Sequence, residues 1–291
     1  MTAPAQRSPE PTDALGALAA QGWTILKGLV PQGFIEGLSA DLEPAFEATP
    51  FCTGDFYGER TKRFGSLLRR SDKLSELVLC PEILRIADHF LLPWCEAVQL
   101  NLGQAIGIFP GAPAQFPHRD QDMWQGIKGE VEYLVNIMWP LTPFTTENGA
   151  TLIYPESHGA RALETDTPGH PICAECEPGD AIVFLGSTLH GAGENRSAHP
   201  RKAIVLSYCL GWLKPYENQW LAYPPSIART FSPELAALVG YRQHRPNLGN
   251  FEGVCPSILL ADAVPEHLGA IDALRPDQAD AVAEHRAAQV R

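Results

Sequence analysis

Asp180-Ala181-Ile182-Val183-Phe184-Leu185-Gly186-Ser187-Thr188-Leu189-His190-Gly191-Ala192-Gly193 reads as an apolar strand running into a turn that ends on a histidine between small residues. The next segment, Arg201-Lys202-Ala203-Ile204-Val205-Leu206-Ser207-Tyr208, is again β-branched and apolar. Short runs of this texture bounded by turn residues are strand signals. Outward from this pair, further β-prone segments are expected at 95–109, 131–139, 150–154 and 171–176, separated by Gly, Pro and Asn clusters.

Upstream the texture is helical. Thr12-Asp13 caps a short helix through Ala20 that Gly22 stops. A strand is expected over 23–30. Pro31 then opens an amphipathic helix whose apolar positions Phe34, Ile35, Leu38 and Leu42 recur at steps of three and four, and Pro44 should end it. Residues 48–72 read as irregular, and helices are expected at 73–79 and 81–92, with Pro81 in a first-turn position. Helices first and many short strands after them make the fold class α+β, with a sandwich or jelly roll as core. The chain 1–291 contains no repeat and no long linker and is read as one domain. Residues 1–12 form a loose tail, 213–264 an ordered cover, and the segment from about 265 to 291 a helical tail.

Composition narrows the function. Hydrophobic residues at 45% and charged residues at 19% describe a globular protein, and no apolar run is long enough to span a bilayer. The formal charge of −12 argues against nucleic acid and anionic membranes as partners. The N-terminus lacks the pattern of a secretory signal, and seven cysteines without framework spacing point to reduced thiols, so the expected location is the cytoplasm. Cys173 and Cys176 form a lone CxxC, read as two small residues beside a strand.

Among nine histidines, His118 is set apart by Asp120 two residues on, in Phe116-Pro117-His118-Arg119-Asp120. Pro117 places this segment at a strand start or edge, where residues i and i+2 project to one side. An imidazole and a carboxylate there can grip one ion. An HxD alone is common, but His190 could complete a two-His-one-carboxylate set, the usual holder of non-haem Fe(II) in oxygenases. Eleven residues after His190, Arg201 opens a strand and could clamp a carboxylate bidentately.

At these residues the chain resembles the phytanoyl-CoA hydroxylase-like family of Fe(II)/2-oxoglutarate dioxygenases, and within it the subgroup acting on fungal meroterpenoids and indole alkaloids. The resemblance rests on His118, Asp120, His190 and Arg201, on Gln115 three residues before the first histidine, and on the turn Asn148-Gly149-Ala150-Thr151. Gly22-Trp23, Phe56-Tyr57-Gly58-Glu59-Arg60-Thr61-Lys62-Arg63 and Gly211-Trp212-Leu213-Lys214-Pro215 look like family landmarks as well, and the likeness covers about residues 14 to 240. One departure is Pro155-Glu156-Ser157-His158, where Glu156 stands in place of the family's usual Gly.

The resemblance implies a double-stranded β-helix (jelly roll, cupin-like) core with flanking N-terminal helices and a C-terminal cover. It implies His118, Asp120 and His190 as iron ligands, and Arg201 on the distal carboxylate of 2-oxoglutarate. Gln115 and Thr151 fall near the cosubstrate's other end, with Asn136 of the 131–139 strand facing the same pocket. The expected cofactor is Fe(II), with 2-oxoglutarate and O2 as cosubstrates and succinate and CO2 as products. Asp120 argues for hydroxylation, because halogenating relatives carry a small residue there. A homodimer is implied too.

Phe64, Phe109, Met123, Trp124 and Trp212 are the large apolar groups nearest the motifs and are expected near a largely apolar small-molecule substrate. The basic cluster Arg60, Lys62, Arg63, Arg69 and Arg70 leaves an anionic substrate open. Two rivals remain at this point: a catalytically silent jelly-roll binding protein, and a cupin-like metalloenzyme that does not use 2-oxoglutarate. The intact triad speaks against the first and Arg201 against the second. A protein side chain as substrate fits poorly with a covering segment over 213–264.

Overall fold

A computed structural model describes residues 11–164 and 169–289, with side chains from residue 14 onward. The helices are α1 (Pro11–Gln21), α2 (Gln32–Ala48), α3 (Lys73–Val78), α4 (Pro81–Leu91), α5 (Arg161–Glu164), α6 (Gln219–Ala222), α7 (Pro225–Ala228), α8 (Pro233–Leu238) and α9 (Pro276–Gln289). The strands are β1 (Trp23–Leu26), β2 (Thr61–Phe64), β3 (Val98–Ile108), β4 (Leu134–Pro140), β5 (Thr151–Ile153), β6 (Ile172–Cys173), β7 (Ala181–Leu185), β8 (His190–Ala192) and β9 (Arg201–Leu210). They form two antiparallel sheets. The larger runs β1-β7-β4-β9-β3-β2 and the smaller β6-β5-β8.

Strand periodicity sorts the core into two layers. Val135, Ile137 and Trp139 of β4, with Val183 and Leu185 of β7 and Ile204, Leu206 and Tyr208 of β9, face Leu18, Ile35, Leu38, Leu42 and Ile86 of the N-terminal helices. The alternate residues, among them Met138, Ile182, Phe184 and Val205, turn the other way and join Ile153 and Phe144 between the sheets. The helices therefore cover one face of the large sheet. The other face is left for the small sheet and for whatever lies between.

Several elements depart from expectation. β1 stops at Leu26, because Gly28 turns the chain at φ 60 and its amide bonds the Asp180 carboxylate at 2.9 Å. The helix opened by Pro31 runs through Pro44 to Ala48. A proline there forfeits a backbone bond and costs about 3 kcal/mol in an isolated helix. Here Leu42 and Phe46, on either side of it, are both buried and hold the two halves to one core.

The segment read as irregular contains β2 and a 3-10 turn at Leu67–Arg69. Its basic residues hid the strand. Lys62 Nζ caps the end of α2 at the carbonyls of Phe46 (2.8 Å) and Glu47 (3.1 Å), where a helix dipole favours a cation. The C-terminal helix begins only at Pro276, after a proline- and glycine-bearing stretch without regular structure, and buries no side chain. Residues 213–264 are ordered into α6–α8 and a 3-10 turn at Pro256–Leu260. Of the expected tail at 1–12, residues 1–10 lie outside the described residues, and Pro11 and Thr12 are not tail but the start of α1, which begins one residue ahead of the expected Thr12-Asp13 cap. All seven cysteines are unpaired.

Candidate active site

The turn between β7 and β8 brings the two histidines together through the backbone. The His118 amide donates to the His190 carbonyl at 2.9 Å and the His190 amide to the His118 carbonyl at 3.0 Å. Each imidazole is then fixed by a carbonyl two residues upstream. His118 Nδ1 lies 2.9 Å from the Phe116 carbonyl, and His190 Nδ1 lies 3.0 Å from that of Thr188. Nδ1–H donating to a carbonyl leaves the Nε2 lone pair for a metal. Both Nε2 atoms point at Asp120, at 3.5 Å from His118 and 3.7 Å from His190. One ligand atom from each of the three residues lies within 4.8 Å of the others.

Electrostatics fit a cation at this point. Burial opposes charge on Asp120, but the two histidines outweigh it and hold the carboxyl below its ordinary range. Burial lowers His190, keeping it neutral, while Asp120 outweighs burial at His118 and raises it. Two imidazoles and one carboxylate leave three open positions on an octahedral ion, and this donor set suits Fe(II).

The triad opens into a cavity of about 360 Å³ between the sheets, a volume in the range of small-molecule sites. Arg201, at the start of β9, reaches into it while 1% exposed. Its guanidinium lies over the Phe144 ring at 4.2 Å, and Nε and Nη1 have no hydrogen-bond partner in the protein. Burial, and then Arg63, pull its pKa down to about 9, so it stays cationic near neutrality. A buried guanidinium with unpaired donors is costly alone and suits an anionic ligand. Thr151 and Asn136 line the same cavity, each with a buried polar atom, Oγ1 and Nδ2, that has no protein partner. Gln115 lines it as well, donating to the Phe56 carbonyl at 3.3 Å and accepting from the Ala192 amide at 3.3 Å.

The substrate expectations divide. Met123 and the neighbouring Asp122 line the cavity. Phe64 does not: it is buried against Phe46, ring centroids 4.9 Å apart, because the inward register of β2 falls on Arg63. Phe109 packs edge-on against Phe51 at 5.1 Å. Trp124 meets Tyr133 edge to face and donates to the Lys214 carbonyl at 3.0 Å. Trp212 donates to the Trp94 carbonyl at 3.0 Å, away from the cavity. Indole N–H groups seek acceptors, and here they tie Trp124 to the cover at Lys214 and Trp212 to the loop between α4 and β3 at Trp94.

Residues not anticipated at the site are Arg63, Asn101, Gln104, Tyr57 and Tyr216. Arg63 donates to Gln104 Oε1 at 3.2 Å and lies 4.9 Å from the centroid of the Tyr57 ring. Tyr57 and Tyr216 hydrogen-bond to each other through their hydroxyls. Arg60 and Arg70 of the basic cluster bond the carbonyls of Pro110 and Gly65 instead.

The sequence profile of the Phytanoyl-CoA dioxygenase (PhyH) family matches residues 18–203. The chain belongs to the phytanoyl-CoA dioxygenase family. The chain is 31% identical over 244 residues to "Dioxygenase trt7" of Aspergillus terreus, covering 80% of this chain and 84% of that one. It is 32% identical over 255 residues to "Multifunctional dioxygenase ausE" of Aspergillus calidoustus, covering 79% and 83%.

Among solved structures, the α-ketoglutarate-dependent epimerase SnoN from nogalamycin biosynthesis superposes with a TM-score of 0.58 at 17% identity, over 71% of this chain and 86% of that one. HygX from Streptomyces hygroscopicus, with nickel and 2-oxoglutarate bound, gives 0.54 at 16%, over 70% and 89%. These likenesses fix the fold as an α+β jelly roll. As a phytanoyl-CoA dioxygenase family member with the His-Asp-His cluster in place, the protein is an Fe(II)- and 2-oxoglutarate-dependent dioxygenase. The silent binding protein and the metalloenzyme without 2-oxoglutarate are thereby set aside.

Proposed function

We propose that this dioxygenase hydroxylates a C–H bond of a largely apolar small molecule, with His118, Asp120 and His190 as iron ligands. The observation that carries the reading is the convergence of these three ligand atoms and the unpaired guanidinium of Arg201 on one cavity. When bound, Fe(II) with 2-oxoglutarate and O2 supplies the oxidising power, at the expense of the cosubstrate's decarboxylation to succinate.

The protein's own part is binding, orientation and exclusion of water. Arg201 takes the distal carboxylate of 2-oxoglutarate, and Thr151, Gln115 and Asn136 offer hydrogen bonds along the same anion. Arg63 adds a second cation to the cavity, which favours a dianionic cosubstrate. Ile106, Ile108, Met138, Phe184 and Val205 give the cavity apolar walls, and Met123 stands at its edge, 41% exposed. Such a lining supports an apolar substrate. The part of SnoN in nogalamycin biosynthesis supports a biosynthetic substrate here.

The reading also takes 1–291 as one domain acting in the cytoplasm. Among the described residues no helix is long and apolar enough to cross a membrane. A homodimer is supported by exposed Trp94, Trp212, Trp220 and Leu221 on and beside the cover.

The test is an anaerobic titration of metal-free protein with Fe(II) and then 2-oxoglutarate, read as the visible charge-transfer band of the chelate. Wild type should give a saturable band. His118→Ala should give none, and Arg201→Ala should need at least about a hundredfold more 2-oxoglutarate, the scale of a lost buried charge pair. Normal iron binding with no band would sink the assignment of 2-oxoglutarate to this cavity.

A further inference from the structure

Glu132 stands two residues before β4 and contributes nothing to the cavity wall, yet its carboxylate holds the turn on which the triad hangs. The Ser187 amide donates to Glu132 Oε1 at 3.1 Å and the Ser187 hydroxyl to Oε2 at 2.6 Å. Ser187 itself is buried, and its hydroxyl accepts the Gly159 amide at 3.1 Å. The next link reaches Asp120 from both sides. The Ser187 carbonyl accepts Arg119 Nε at 3.0 Å, and the Gly186 carbonyl accepts the Gln121 amide at 3.1 Å. Thr188, the third residue of the same turn, fixes His190 Nδ1 at 3.0 Å, and His190 pairs with His118 through the backbone.

All three ligands are thus referred to residues 186–188, and the carboxylate of Glu132 grips that turn at two points. We propose that Glu132 is a positioning residue for the metal site, acting through Ser187 to hold His118, Asp120 and His190 in register for one ion. The proposal rests on the ligand assignment above. Without the carboxylate, the buried Ser187 amide and hydroxyl lose their acceptors, and the turn relieves this only by moving. Groups that orient metal ligands from behind matter to affinity in just this way.

The experiment is a titration of chelator-treated full-length protein with Co(II) alone, read by its visible d–d absorption, with thermal unfolding recorded for each variant. Glu132→Ala and Ser187→Ala should weaken Co(II) binding by about 10- to 100-fold, and Glu132→Gln, which keeps an acceptor for the amide, should recover most of it. Asp180→Asn is the control. Asp180 anchors the opposite end of β7 through Lys27 Nζ at 2.8 Å and the Gly28 amide at 2.9 Å, so its loss should lower stability and leave Co(II) affinity unchanged.

Folded Glu132→Ala or Ser187→Ala protein that binds Co(II) like wild type overturns the proposal. So does an Asp180→Asn variant that loses as much affinity, which would mark a general loss of stability. If Glu132→Ala does not fold, Ser187→Ala decides alone. Wild-type protein that takes up no Co(II) removes the ligand assignment, and this proposal with it.

Discussion

Glu156 occupies the position where the family usually carries Gly, and its backbone lies at φ 60, in the left-handed region. A side chain there costs about 1–2 kcal/mol, while the exposed ion pair of Glu156 with Arg161 returns little. Glu156→Gly should therefore stabilise the protein by up to about 1 kcal/mol, roughly 2 °C in melting temperature. Glu156→Ala keeps the backbone cost and loses the pair, so it should melt lower than wild type. Calorimetry that finds Gly the less stable of the two would refute the account. Legibility at this scale follows chemistry. His118 with Asp120, and His190 with Arg201, stood out because few residue types suit iron or a carboxylate clamp and each pair is closely spaced. Phe64, Trp124 and Trp212 misled because an aromatic ring does not encode which face of its strand or loop it takes. Arg63 escaped for the converse reason: among five neighbouring cations, nothing local shows which one the β2 register turns inward.

Among the elements, the turn from β7 to β8 and the start of β4 carry a titration that the whole fold should feel. Burial pushes the Glu132 carboxyl from its ordinary value of 4.5 up to about 7, although the Ser187 hydroxyl and amide pull it down. The folded protein then binds a proton that the unfolded chain releases. The stability this gives is fully present below about pH 4.5 and is lost as pH rises through about 7. The difference in melting temperature between wild type and Glu132→Gln should shrink or reverse in sign across that window, and parallel profiles would refute it. Strands with apolar runs were legible as elements, since β4, β7 and β9 are buried on both faces and show it in composition. β2 was not, because Lys62 and Arg63 answer to a helix end and a cavity rather than to strand propensity. Pro44 misled for a related reason: local backbone rules yielded to burial of Leu42 and Phe46.

At the scale of the molecule, order of texture along the chain was enough for the class, helices first and a two-sheet jelly roll after, because each layer needs its own apolar face. Assembly was less legible, since exposed tryptophans look alike whether they meet solvent or a second copy. Sedimentation equilibrium should find a dimer of the 31.7 kDa chain. Leu221→Glu, at a position 77% exposed on α6, should shift it to monomer without unfolding it. A wild-type monomer at tens of micromolar would end the dimer proposal. The backbone pairing of His118 with His190 has a consequence of its own. Those two bonds are made by peptide groups, so the two histidines stay gathered whether or not an ion sits between them. With these residues as the proposed iron ligands, removing the ion would leave this part of the scaffold standing, and refilling it would call for no refolding. Iron starvation would idle such an enzyme and leave it intact, ready to resume when supply returns.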